Sequence, residues 1–156
     1  VSSNTYSATL RRAWAADLDA ATLYELLRLR IDVFVVEQRS AYAELDGHDL
    51  EPRARHYWLT GADQPVLGCV RLLKERGGGY RIGRLCVAAP VRGHGLGRQL
   101  MDAVLAEVGE DECRADVQQP LAEFYARYGF TPAAEPYDWA GVTHVPMRRA
   151  RREPGS

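Results

Sequence analysis

Apolar positions along the chain recur in two rhythms, one near two residues and one near 3.6, and the rhythms trade places in blocks. Residues near Thr9 to Trp14 read as a first strand. Asp17 or Asp19 then stands where a helix N-cap belongs, and Leu23, Leu26, Leu27, Ile31 and Phe34 fall on one face of the helix that follows. Gln38 to Arg55 follows neither rhythm. It is a long mixed segment with Asp46-Gly47 and Glu51-Pro52 as turn signals, and ordered loops of this size tend to carry function. Strand-like runs return at His56 to Thr60 and Val66 to Lys74, the second joined to Tyr80–Val87 through Gly77-Gly78-Gly79 as a hairpin.

The run from Tyr80 to Val87 changes phase partway. Tyr80 and Ile82 share one face while Leu85 and Val87 take the other, with Gly83 between them, which predicts a β-bulge in this fourth strand. Leu100, Met101, Val104, Leu105 and Val108 then recur at helical spacing, and Cys113 to Gln118 reads as a fifth strand. Pro120 opens a short helix with Leu121, Phe124, Tyr125 and Tyr128 on one face, closed by Gly129. Tyr137 to Gly141 reads as a loop and Thr143 to Arg149 as the last strand. The order predicts an α/β fold, a mixed sheet flanked by helices. A single domain would span residues 1–150, with 151–156 expected to be a disordered tail.

Composition narrows the partners. The chain has 156 residues, 46% hydrophobic and 26% charged, which suits one domain with a sizeable core. A net charge of −1 gives no electrostatic case for nucleic acid or an anionic membrane, and the basic run Arg148-Arg149-Ala150-Arg151-Arg152 reads as a solvated terminus. No stretch approaches the roughly 20 apolar residues of a membrane span, and no secretory layout opens the chain. Cys69, Cys86 and Cys113 are an odd, widely spaced set without metal-ligand spacing. They read as reduced thiols in a cytoplasmic protein that needs no metal.

The most specific chemistry lies in Arg92-Gly93-His94-Gly95-Leu96-Gly97, between a strand-like and a helix-like run. Alternate glycines let main-chain N–H groups turn inward, and the helix N-terminus behind them favours an anion, so the turn suits a phosphate or pyrophosphate. It is not a P-loop, because Arg98-Gln99 stands where Lys-Ser/Thr would have to follow Gly97. Nor is it the dinucleotide fingerprint, because Arg98 occupies the place of the third glycine. What remains, Arg-x-x-Gly-x-Gly after a strand, resembles the acyl-CoA pyrophosphate loop of the GNAT N-acetyltransferase superfamily. Glu123-Phe124-Tyr125-Ala126-Arg127-Tyr128-Gly129-Phe130 resembles that superfamily's second motif, an aromatic-Tyr pair followed by Gly-Phe. A narrower likeness to the ElaA branch rests on Phe34-Val35-Val36-Glu37-Gln38, Tyr42, Leu45-Asp46-Gly47, Asp49, Arg55-His56 and Gly141 to Met147, and covers most of residues 23–148.

The resemblance implies a single GNAT-like domain, its sheet mostly antiparallel, with central strands that splay after the bulge. It implies an N-acetyltransferase that moves an acetyl group from acetyl-CoA to a primary amine by direct attack in a ternary complex. The alternative is a non-catalytic acyl-CoA sensor module. Backbone groups of Leu85, Cys86 and Val87 would meet the pantetheine amides, and Arg92, Gly93, His94, Gly95, Leu96, Gly97 and Arg98 the phosphates. The Val87 amide would polarise the thioester carbonyl, and Tyr125 would be the general acid at the sulfur. A base is needed because a lysine-like amine has a pKa of roughly 10.4. Glu37 and His144 are the leading candidates, with Asp46 and His56 as further candidates lining the acceptor site. The acceptor itself stays open between small amines and peptide amines, with the acidic loop residues Glu44, Asp46, Asp49 and Glu51 leaning toward a cationic one. A homodimer also stays open.

Overall fold

Asp19 caps the first helix: its Oδ1 accepts the Thr22 N–H at 2.7 Å, and α1 runs over Ala20–Ile31. This contact comes from a computed structural model that describes residues 7–153. Before α1 lies β1, Thr9–Trp14. After it the chain winds on through a wider π-type stretch, Asp32–Glu37, and leaves by a left-handed residue, Arg39 (φ +51°). The helical pattern that reached Phe34 in the sequence is therefore continuous in space, although its winding changes.

The hairpin strands follow as expected: β2 Arg55–Thr60, β3 Gly68–Lys74 and β4 Tyr80–Val87. Next come α2 Leu96–Val108, β5 Cys113–Gln118, α3 Ala122–Ala126, β6 Thr131–Pro132, β7 Tyr137–Trp139 and β8 Val142–Arg149. The sheet order is β1-β2-β3-β4-β5-β8-β6, with β7 on β8, and every pairing is antiparallel except β4 with β5. The segment Tyr137 to Gly141, expected as a loop, is instead a hairpin strand and its turn. Ala140 (φ +51°) and Gly141 (φ +82°) are both left-handed, the geometry that joins two twisted strands through two residues.

The strand period sorts residues onto two faces. Tyr57, Leu59, Val70 and Leu72 point into the main core with Leu100, Met101 and Val104 of α2. Cys69 and Cys86, with Trp58 packed beside them, meet Leu26, Leu29 and Val33 from the α1 side. Helices thus cover both faces of the central strands. Among the described residues, no helix is long and apolar enough to cross a membrane. Residues 154–156 of the expected tail lie outside the described residues; within 151–153, the Arg152 N–H donates to the Glu110 carbonyl at 2.8 Å.

Candidate active site

The bulge lies in β4, as the phase change predicts. Cys69 faces Cys86 and Arg71 faces Gly83, so β4 carries one residue more than β3 between the two pairs. The left-handed residue there is Arg84 (φ +58°), not Gly83. A side chain in that conformation costs about 1–2 kcal/mol, and what holds it is its guanidinium, which donates to Glu44 Oε2 at 2.8 Å, the Glu44 carbonyl at 3.0 Å and Asp46 Oδ2 at 3.2 Å.

Beyond the bulge the two central strands part. β4 and β5 pair at Tyr80–Cys113 and Arg81–Arg114, and no pairing continues past them. The Ala88 N–H donates to Leu67 on the β3 side at 2.8 Å. Backbone alternation then turns Val87 and Leu85 toward the gap and Cys86 toward Cys69. Two of the three expected backbone partners therefore face the gap, while the third, Cys86, pairs with β3. Its thiol lies 3.7 Å from that of Cys69, and this contact together with burial pushes the Cys86 thiol well above its ordinary pKa.

At the mouth of the gap, Gly93 (φ +84°) and Gly95 (φ +78°) are left-handed, and a Cβ on either would meet nothing within 4 Å. Gly95 is the N-cap of α2 and no side chain caps that end, so the first-turn amides are not satisfied by a capping group. Gly97 differs: it lies within the helix, and a Cβ there would make only an ordinary contact with the Phe124 ring, 4.0 Å away. Leu96 is buried in the core and contributes main chain only, whereas Arg98 is exposed on the first turn. Arg92 departs from expectation. Its Nε donates to the Val87 carbonyl at 2.9 Å, and its two Nη atoms form a bidentate pair with Glu37 at 2.6 and 2.9 Å, so its guanidinium braces the loop rather than pointing into it.

That pair also relocates Glu37. The hydrogen bonds from Arg92 hold its carboxyl below the usual range, and it borders a separate surface depression with Pro90 and Val66. The structure does not bring Glu37 to the cleft, which corrects its place among the leading bases. His56 is corrected as well. It is buried, its Nε2 donates to the Asp49 carbonyl at 2.8 Å, and burial lowers its pKa, as for a structural imidazole.

The gap opens into a cleft of about 450 Å³ that does gather Leu85, Tyr125, Gln118, Asp46 and His144. Tyr125 is held on α3 by edge-on contacts to Phe124 and Phe130, with centroids 5.8 and 5.4 Å away. Burial raises its pKa, and no described residue hydrogen-bonds its hydroxyl. His144 stacks on Tyr137 at 5.6 Å. Its Nδ1 lies 2.9 Å from the Val142 carbonyl. A carbonyl can only accept, so Nδ1 carries a proton, which leaves Nε2 as the ring nitrogen able to accept one. Gln38 and Gln118 exchange amide hydrogen bonds at 3.1 and 2.9 Å, and Ser40 Oγ donates to the Ala140 carbonyl at 2.8 Å, bridging the loop after α1 to β5 and to the β7–β8 turn.

The acidic loop is not a free anionic surface. Glu44 and Asp49 bind the buried Arg30, with closest contacts of 2.6 Å each, and Asp46 and Asp49 bind Arg71 at 2.8 and 3.1 Å. For Asp46, burial pushes the pKa up, but the Arg71 hydrogen bonds, the His48 N–H and the Arg71 and Arg84 charges outweigh it and leave the carboxyl below its ordinary value. Glu51 contacts His48 at 2.5 Å. The signal for this network was the matching arginines on three other elements, but nothing in their spacing ties them to the loop.

Comparison with known proteins agrees with this geometry. A family model described as an acetyltransferase (GNAT) domain matches residues 24–151. A UPF0039 protein of Mycobacterium tuberculosis is 49% identical over 150 residues, 94% of each chain. The crystal structure of Escherichia coli ElaA superposes with a TM-score of 0.85 at 32% identity, over 92% of this chain and 99% of that one. An acyl-CoA N-acyltransferase from Pseudomonas aeruginosa gives a TM-score of 0.87 at 37% identity, over 92% of this chain and all of that one (100%). On fold, motifs and these matches together, the chain belongs to the GNAT acyltransferase family, in the branch of ElaA and the UPF0039 proteins.

Proposed function

We propose that this protein is an N-acetyltransferase that uses acetyl-CoA and acts on a primary amine in a ternary complex. The observation that carries the reading is the opening of the β4–β5 gap into a cleft that holds both Tyr125 and His144. The residues fit acyl-CoA. The open left-handed glycines and uncapped α2 amides suit a pyrophosphate, and the Leu85 and Val87 main chain suits the pantetheine amides.

Each chemical requirement has a group. The Val87 amide would stabilise the developing oxyanion. His144 Nε2 would take the proton from the attacking amine, and the Tyr125 hydroxyl would supply one to the departing thiolate. A tyrosine hydroxyl, with an ordinary pKa of about 10, is protonated at neutral pH, as a donor must be. Arg92 and Glu37 brace the loop, and Arg98, exposed on the first turn of α2, would meet the nucleotide phosphates. Asp46 shapes the acceptor wall through its arginines. Cys69, Cys86 and Cys113 are free thiols, which supports a reducing, cytoplasmic setting.

The test is thermal unfolding with acetyl-CoA, NAD and ATP, followed by amine-dependent CoA release. At a hundredfold excess over its Kd, acetyl-CoA should add about 2.7 kcal/mol, or roughly 5–10 °C in Tm. Equal stabilisation by NAD, or no shift with acetyl-CoA, would reject the reading.

A further inference from the structure

We infer that the acceptor is a monoamine with an aromatic or apolar body on a short linker, and not a polycation. The inference rests on the acetyltransferase reading of the cleft and adds the acceptor's chemical class. Two observations carry it, and they are independent.

The first is what the cleft wall exposes. Trp139 is 59% exposed, Leu121 40% and Tyr137 39%, and all three line this one cleft, with the Tyr42 ring among them. Large apolar side chains left open together around a cavity mark a surface that a ligand covers. Tyr137 stacks on His144, so one hairpin supplies both an apolar wall and the imidazole. A ring lying on that wall brings an amine on its linker to the base.

The second observation is charge. The cleft is lined by two carboxylates, Asp46 and Asp116, and both are already paired. Arg71 and Arg84 hold Asp46 at 2.8 and 3.2 Å, and Arg81 holds Asp116 at 3.0 Å. Glu44, in the same ion network as Asp46, is bound by Arg30 and Arg84. A polyamine or aminoglycoside would have to compete with these arginines for each additional ammonium and would bring unneutralised charge against Arg84. A monoamine carries one charge and loses it before attack. The transfer then balances: the ammonium sheds one proton to solvent, an N–C bond forms as the C–S bond breaks, the nitrogen passes its second proton to His144, and the thiolate receives one from Tyr125, which solvent restores as His144 gives its proton up.

The experiment measures kcat/KM for 2-phenylethylamine, tyramine, spermidine and kanamycin with acetyl-CoA, in the native protein and in Trp139→Ala. The two aromatic amines should exceed the two polycations by at least about tenfold, the scale of one good aromatic contact with its buried area. Trp139→Ala should erase most of that gap while leaving the acetyl-CoA melting shift intact. Spermidine or kanamycin preferred, or equal, would overturn the inference, as would a gap that Trp139→Ala leaves untouched. If acetyl-CoA gives no melting shift, the acetyltransferase reading fails by itself. Calorimetric titration of the same four amines then decides the acceptor class: saturable binding of the aromatic amines, weakened by Trp139→Ala, supports it, and its absence refutes it.

Discussion

Replacing Arg30 by methionine tests whether the ion network beside the cleft is as tightly balanced as its geometry implies. Arg30 and Glu44 are 2% and 3% exposed, and the network sets Arg30, Arg71 and Arg84 against Glu44, Asp46 and Asp49. Arg30→Met keeps the apolar stem but leaves one carboxylate unmatched. Removing one partner of a buried pair costs about 3–5 kcal/mol. The lower end is expected here, because Glu44 keeps Arg84 and the Tyr42 hydroxyl, and Asp49 keeps Arg71. A loss of about 3 kcal/mol corresponds to about 6–12 °C in Tm for a chain of this size. The pH dependence gives a sharper test. In the native protein the Asp46 and Asp49 carboxyls lie below their ordinary pKa, so their contribution is full at neutral pH. In Arg30→Met the unmatched carboxyl must rise in pKa, and a raised carboxyl favours the folded state as pH falls. The stability gap, read from urea unfolding, should therefore narrow from pH 7 to pH 5. Adding Glu44→Gln restores charge balance and should recover about 1 kcal/mol or more. A gap below about 1 kcal/mol at pH 7, or one that is constant with pH, would refute the reasoning.

Other outcomes are expected. Tyr125→Phe should lower acetyl transfer by roughly 10²-fold while the acetyl-CoA melting shift stays unchanged; unchanged turnover would return Tyr125 to a packing role. Gly95→Leu forces a side chain into φ +78° and should lose about 1–2 kcal/mol of stability together with the acetyl-CoA shift, both read by thermal unfolding. Ala140→Gly relieves a left-handed alanine and should raise stability by about 0.5–1 kcal/mol in urea titration; destabilisation would mean that the turn is not strained. Native stability should fall on acidification below about pH 4, where Asp46, Asp49 and Glu107, whose pKa values lie below ordinary, begin to protonate in the unfolded chain; calorimetry across pH 3–6 checks it.

What the sequence disclosed was what local rules control. Asp19 caps the helix it precedes, the phase change in β4 marks a real bulge, the glycine loop runs into the N-terminus of α2, and Tyr125 lies on the short helix after Pro120. Spacing along the chain was a poor guide where the partner is distant. Arg84, not Gly83, takes the left-handed bulge position because Glu44 and Asp46, about forty residues earlier, hold its side chain. Glu37 reads from its own segment as a candidate base, but Arg92, 55 residues away, binds both its oxygens. Tyr137 to Trp139 gave too few residues to show a period, and only β8 makes them a strand.

Mechanically, the sheet is two leaves, β1 to β4 and β5 to β8, hinged at a seam of two residue pairs. Beyond the seam the leaves are joined by one ion pair, Arg81 with Asp116 at 3.0 Å, and by neutral contacts, the reciprocal Gln38–Gln118 amides and Ser40 on Ala140. Each such hydrogen bond adds about 1 kcal/mol net, and the amide pair can part and re-form without moving charge. Spreading the leaves would therefore break that ion pair and those amide contacts and part a core that Ile82 shares with Val117 and Met147, although the ladders within each leaf would stay paired.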